Sequence, residues 1–142
     1  MKYWEPVQRA RAGRNYNAKH EAAGYRLSKL LEWDVVGVTV EGQVSGREGS
    51  LQSFVHRDSS VMSPESIHRL EIFDHLIDNR DRVVASYKNA LSFKGRAIGY
   101  DHGLAFQPSN EFVVGTFRPV SLKNLQLDPS TKDIYVDLKT KI

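Results

Sequence analysis

Cysteine is absent from the 142 residues, and with it go disulfide frameworks, thiolate zinc sites and thiol nucleophiles. Long apolar runs are absent as well. None approaches membrane-spanning length, and the opening Met1-Lys2-Tyr3-Trp4-Glu5-Pro6 lacks the apolar core of a secretory signal. These gaps lead to the expectation of a soluble, cytoplasmic protein with no membrane partner. There is no internal repeat, no low-complexity stretch and no long linker between separable domains, so the length predicts one domain. No G-x-S-x-G elbow occurs, which leaves covalent hydrolase chemistry with little support. Acid–base hydrolysis by a carboxylate pair such as Asp81 and Asp101 stays open. Among the five histidines, His68 and His75 share a helix face, but a zinc site requires a third donor nearby.

What is present is a lopsided charge. The chain carries a formal +3, yet residues 1–30 hold seven basic side chains against Glu5 and Glu21, a net of +5 that leaves the remainder at −2. An anionic partner near the N-terminus would use Lys2, Arg9, Arg11 and Arg14; a solvated basic face explains the same residues. No aromatic residues interleave with the charges in the manner of RNA-binding surfaces, so there is no strong nucleic-acid signal.

Patterning predicts an α+β order. Residues 2–8 read as a short strand broken at Pro6, and 9–16 as a polar loop. Asn17 caps a helix with Ala18, Ala22, Tyr25, Leu27, Leu30 and Leu31 mostly on one face, ending at Trp33-Asp34. The β-branched run 35–40 reads as a strand, glycines 42, 46 and 49 as a turn, and 51–55 as the returning strand. Ser63-Pro64-Glu65 starts a helix with stripe Ile67, Leu70, Phe73 and Ile77, ending near Asn79. Residues 90–93 and 96–100 form a hairpin about Lys94-Gly95. In the tail, 111–115 and 122–127 are apolar stretches, and 134–138 reads as a strand or an extended arm.

The chemistry concentrates in Leu76-Ile77-Asp78-Asn79-Arg80-Asp81-Arg82, then Asn89-Ala90-Leu91, then Tyr100-Asp101-His102-Gly103-Leu104-Ala105-Phe106. An Asp, a later Asn and a second Asp are what phosphoryl transfer from a nucleotide needs: one carboxylate to orient the hydroxyl, an amide and a carboxylate for magnesium. The segment resembles the active site of the atypical kinases related to HipA and to the phosphoinositide 3- and 4-kinases, with their N-x-D-R/H…N loop and D-x-G triplet. His20-Glu21-Ala22-Ala23-Gly24-Tyr25-Arg26-Leu27-Ser28 is similar to their E-x-A-A-Y-R-L helix, and Gly49-Ser50-Leu51-Gln52-Ser53-Phe54-Val55 to their G-S-x-Q-x-F-V strand. Coverage runs from about residue 17 to 106.

The resemblance implies a minimal protein-kinase-like fold. A small N-lobe sheet, one αC-like helix and the hinge would occupy 1–55. The catalytic loop, metal-site hairpin and a truncated C-lobe would occupy 56–142. It implies an ATP- and Mg2+-dependent phosphotransferase, a HipA-like protein (Ser/Thr) kinase with a protein substrate or partner. Asp81 takes the catalytic position, Asn89 and Asp101 the metal positions, and Glu21 that of the acid that pairs with the ATP-binding lysine. Backbone groups at Phe54 and Val55 would meet adenine. A lipid acceptor ranks lower, because no amphipathic membrane helix is visible.

The chain also departs from that pattern. Asn89 follows Asp81 by three residues more than in the family, Ser86 stands where the uninterrupted spacing would put Asn, and Val83 replaces the His or Gly after Asp-Arg. No glycine-rich loop precedes the helix, and Tyr3-Trp4-Glu5-Pro6 puts Glu5 where the lysine belongs. Lys2, three residues off, would serve only from a slipped strand. Arg9, Arg11 and Arg14 would then fold over the triphosphate. Two alternatives follow from the losses: a pseudokinase that binds nucleotide or protein, or one half of a split kinase. Plainer roles remain for single residues: Asp81 between Arg80 and Arg82 as an ion-pair cluster, Asp101 as a turn cap, Glu21 as a first-turn acid favoured by the helix dipole.

Overall fold

The computed structural model describes residues 2–6, 8–11, 14–79, 82, 88–106 and 129–141. Strand β1, Lys2–Pro6, pairs antiparallel with β5, Arg47–Ser53, and β4, Thr39–Val44, covers the other edge of β5, giving the sheet order β1-β5-β4. β2, Gln8–Arg11, and β3, Arg14–Asn17, form a second antiparallel pair with Arg11 opposite Arg14. The segment expected as a polar loop is therefore a hairpin. Its alternation is hidden in sequence because charged and polar residues fill it.

Helix α1, Ala18–Leu30, lies against β4 and β5. Its inward face is made of small residues, Ala18, Ala22, Gly24 and Ser28, together with Glu21. It stops in a Schellman motif: Glu32 N–H donates to the Lys29 carbonyl at 3.1 Å and Trp33 N–H to that of Ser28 at 3.1 Å, with Glu32 left-handed at φ 55°. Helix α2, Pro64–Leu76, begins as expected, with Ser63 Oγ accepting from Ser66 N–H and proline in its first turn. It ends the same way as α1, a few residues short of the expected boundary. Asp78 is left-handed at φ 51°, and Asn79 N–H reaches back to the Asp74 carbonyl at 2.9 Å.

The expected strand at 35–40 is displaced. Val35 and Val36 are buried, yet they meet β7 only through one parallel bridge, Val36 to Gly99, and the regular strand begins at Thr39. Its hairpin turn needs only Ser45 and Gly46, both left-handed at φ 50° and 74°, the type I′ form that suits strand twist. The same geometry recurs at Lys94 and Gly95, φ 51° and 75°, joining β6, Ala90–Phe93, to β7, Arg96–Gly99, as the sequence predicts. Residues 58–63 pin that turn: Asp58 accepts from Lys94 N–H at 2.6 Å and Ser63 N–H donates to the Gly95 carbonyl at 2.9 Å.

The tail corrects another expectation. Residues 134–138 lie within helix α3, Pro129–Lys141, not in a strand or extended arm. Ile134 and Leu138 are four apart and both buried, which is helical spacing. Trp33 Nε1–H donates to Asp137 at 2.7 Å, and Lys141 Nζ–H to the Leu31 carbonyl at 2.7 Å, so α3 also closes the end of α1. The stretches 111–115 and 122–127 lie outside the described residues. One hydrophobic cluster takes in Leu31, Trp33, Val35, Leu70, Phe73, Ile77, Ala97 and Ile134, running across the boundary expected at residue 55. Among the described residues the fold is α+β, and no helix is long and apolar enough to cross a membrane.

Because Ile134 is 1% exposed, Ile134→Ala is expected to lower the unfolding free energy by about 2–5 kcal/mol in urea. A loss under about 0.5 kcal/mol, the size of an inert surface change, would mean that α3 is not docked.

Candidate functional site

The β6–β7 hairpin brings two of the predicted site residues together. Ala90 faces Gly99 in register, so Asn89 and Tyr100 come opposite at the open end, and Tyr100 N–H donates to the Asn89 carbonyl at 3.1 Å. Asp101 is the next residue. Asn89 and Asp101 are both left-handed, at φ 54° and 60°, and both are half-buried. Asn and Asp tolerate that conformation better than other side chains.

Behind this mouth lies a buried polar network with Arg82 at its centre. The guanidinium side chain has no solvent exposure. Its Nε–H donates to Asp74 Oδ2 at 2.7 Å, one Nη to the carbonyls of Tyr100 at 2.9 Å and of Asn89, and the other Nη to His102 Nε2 at 2.6 Å. Asp74 is completed by Asn79, whose Nδ2–H donates to Oδ1 at 3.0 Å. The Schellman turn of α2 folds Asn79 into that position. A buried ion pair offsets its desolvation only when further hydrogen bonds satisfy it, and here Arg82 makes four and Asp74 accepts from both Arg82 and Asn79.

Arginine has donors only, so His102 Nε2 must accept, and the neutral ring carries its proton on Nδ1. That nitrogen faces Glu21 Oε2 at 3.5 Å, too long for a hydrogen bond, and Glu21 Oε1 has no partner among the described residues. Burial pushes the Glu21 carboxyl above the usual carboxylate range, opposed by the backbone amides of His102 and Gly103 and by the Arg82 charge. Burial and, secondarily, the Arg82 charge hold the His102 imidazole down to about 3. Helix α1 passes His102 at Gly24, where a Cβ would stand in van der Waals contact with the ring, 3.4 Å from Cγ.

The other predicted residues are spread over the β-rich region. Lys2 pairs with Ser53 and Glu5 with Ser50, and β1 runs in unbroken register with no slip. Arg9 and Arg11 lie in β2 and Arg14 in β3. Phe54 and Val55 follow the end of β5; Phe54 is half exposed and packs edge-on against His56, ring centres 4.8 Å apart. Asp81 lies outside the described residues, as does Ser86. Among the described residues no three His, Asp or Glu side chains gather about one cation position.

Sequence reasoning missed Arg82, Asp74 and His102 as a unit. A signal existed. Asp74 falls among Leu70, Phe73 and Ile77, and Glu21 among Ala18, Ala22 and Tyr25, so each acid occupies the apolar face of its helix. A carboxylate there demands a buried partner. A scan against protein-family models and a search of curated proteins found no match to this chain.

The His102 environment predicts acid sensitivity. In the unfolded chain a histidine takes up a proton below about pH 6.5, while the native ring stays neutral until about 3. The resulting stability is complete above about pH 6.5 and is lost as pH falls toward 3, on the order of 5 kcal/mol over the full range. Glu21, with its raised value, acts with the opposite sign. Urea unfolding of metal-free protein from pH 7 to 4 is expected to fall more steeply for wild type than for His102→Gln. Parallel curves would contradict the buried neutral ring.

Proposed function

We propose that the chain is an ATP- and Mg2+-dependent phosphotransferase, a minimal kinase-like domain whose acceptor is a protein hydroxyl. The observation that carries the reading is the meeting of Asn89 and Asp101 at the mouth of the β6–β7 hairpin, with Arg82, the residue that follows Asp81 in sequence, bonded to that mouth. An amide oxygen and a carboxylate are hard donors, and Mg2+ characteristically takes one or two such protein ligands and fills its shell with water and phosphate oxygens. When bound, the metal supplies charge neutralisation on the phosphates. In the transfer itself, the acceptor oxygen bonds to the γ-phosphorus, the bond to the ADP oxygen breaks, and the hydroxyl proton passes to the Asp81 carboxylate.

The basic hairpin β2–β3 suits the remaining phosphate charge. Arg11 and Arg14 are register partners immediately before α1, and arginine forks match phosphate oxygens. A small N-lobe-like sheet with α1 against it agrees with the same reading, as does the α2 and α3 remnant packed together. Phe54 and Val55, just past the central strand, would provide the adenine edge.

Two observations favour a second reading, nucleotide binding without transfer. Glu5 stands in unbroken register opposite Ser50, and the Glu21 carboxyl is buried against His102. Transfer of label from γ-labelled ATP, to the chain itself and to a protein acceptor, separates the two. Asp81→Ala and Asp101→Ala are each expected to lose about a hundredfold or more of the wild-type rate. Equal label in all three would end the phosphotransferase reading. Arg11→Glu and Arg14→Glu are expected to weaken ATP binding by about tenfold each at low salt. Unchanged affinity would place the phosphates elsewhere.

A further inference from the structure

Resting on the phosphotransferase reading, we propose that Arg82 is the positioning residue of the metal hairpin: one buried guanidinium brackets Asp101 on both sides and ties it to Asn89. The bracket is visible in the contacts. The residue before Asp101 gives its carbonyl to Arg82 Nη1, at 2.9 Å from Tyr100, and the residue after it gives its ring nitrogen to Nη2, at 2.6 Å from His102. The same Nη1 holds the carbonyl of Asn89. Asp101 is thereby kept in its left-handed conformation, φ 60°, and its distance from Asn89 is set by one planar, rigid group.

The guanidinium in turn has no freedom of its own. Asp74 on α2 holds Nε, and the plane rests on the backbone of Gly99, where a Cβ would come within 2.6 Å of Nη1 and 2.7 Å of Cζ. Glycine at 99 is required for space and not for its backbone angles. The hydrogen-bonded network ends at His102, whose Nδ1 faces Glu21 on α1 at 3.5 Å without bonding to it.

Two measurements on the full chain test this. The first is the ring 15N spectrum of His102 in the metal-free protein. The expected signature is a protonated Nδ1 and a hydrogen-bond-accepting Nε2, changed in Arg82→Lys; an Nε2–H tautomer in wild type would overturn the proposal, because arginine cannot accept. The second is Mn2+ binding, followed by electron paramagnetic resonance with and without ATP, and ATP binding in chelator. Gly99→Ala, which displaces the guanidinium without touching Asn89 or Asp101, is expected to weaken Mn2+ binding at least tenfold while metal-free ATP affinity stays within twofold. A folded Gly99→Ala protein with wild-type Mn2+ affinity overturns the proposal, as does wild-type protein that binds no Mn2+. Wild-type Mn2+ binding that is lost in Asp101→Ala and weakened in Gly99→Ala, but with no label transfer, leaves the positioning role standing and removes the phosphotransferase reading alone.

Discussion

A single arginine side chain, sealed from water, sets the geometry of the candidate site. Among the described residues, Arg82 is the one group that contacts the helix α2 carboxylate, both ends of the β6–β7 mouth and the ring that faces helix α1. Burying a guanidinium is costly, and the cost is offset by its bonds to Asp74, Asn89, Tyr100 and His102 and by the Asn79 bond to Asp74. Much of the local structure follows from that demand. The Schellman turn of α2 delivers Asn79 to Asp74, Gly99 leaves the space that the guanidinium occupies, and His102 is fixed as the Nδ1–H tautomer.

Around this centre the hydrophobic cluster does the larger share of the stabilising. Phe73 stands edge-on to His102 with ring centres 6.2 Å apart, so the polar network and the apolar core share a wall. The core draws on α2, the hairpin, the connection after α1 and α3. A network with few degrees of freedom needs such a wall, because protein interiors transmit displacement and do not absorb it.

Sequence patterning disclosed those elements whose local chemistry agrees with their tertiary role. The α2 start at Ser63-Pro64 and the Lys94-Gly95 turn are of this kind, since capping and left-handed turns are decided by neighbouring residues. The elements that escaped are those where burial overrides propensity. Val35-Val36 is β-branched and apolar, but it is buried as a connection wedged beside β7, while the real strand, Thr39–Val44, is an edge with polar residues. Ile134-Tyr135-Val136 suggests a strand, yet Ile134 and Leu138 are buried on one helix face. For the site, Asn89 and Asp101 were visible as candidates through residue type and order, with Asn89 three residues beyond the family spacing. Arg82 was not, because its role depends on Asp74 and His102, which only the folded chain brings to it. The clues within the sequence were Asp74 and Glu21, each on the apolar stripe of its helix.

A double-mutant cycle on the buried ion pair tests the central role of Arg82 most directly. Urea unfolding would be measured for wild type, Arg82→Met, Asp74→Leu and the double variant. Each single change is predicted to remove about 3–5 kcal/mol by stranding the other charge, and the double variant to lose at least about 2 kcal/mol less than the sum. Losses that add within about 0.5 kcal/mol would contradict the claim that this pair is the centre on which the site is built.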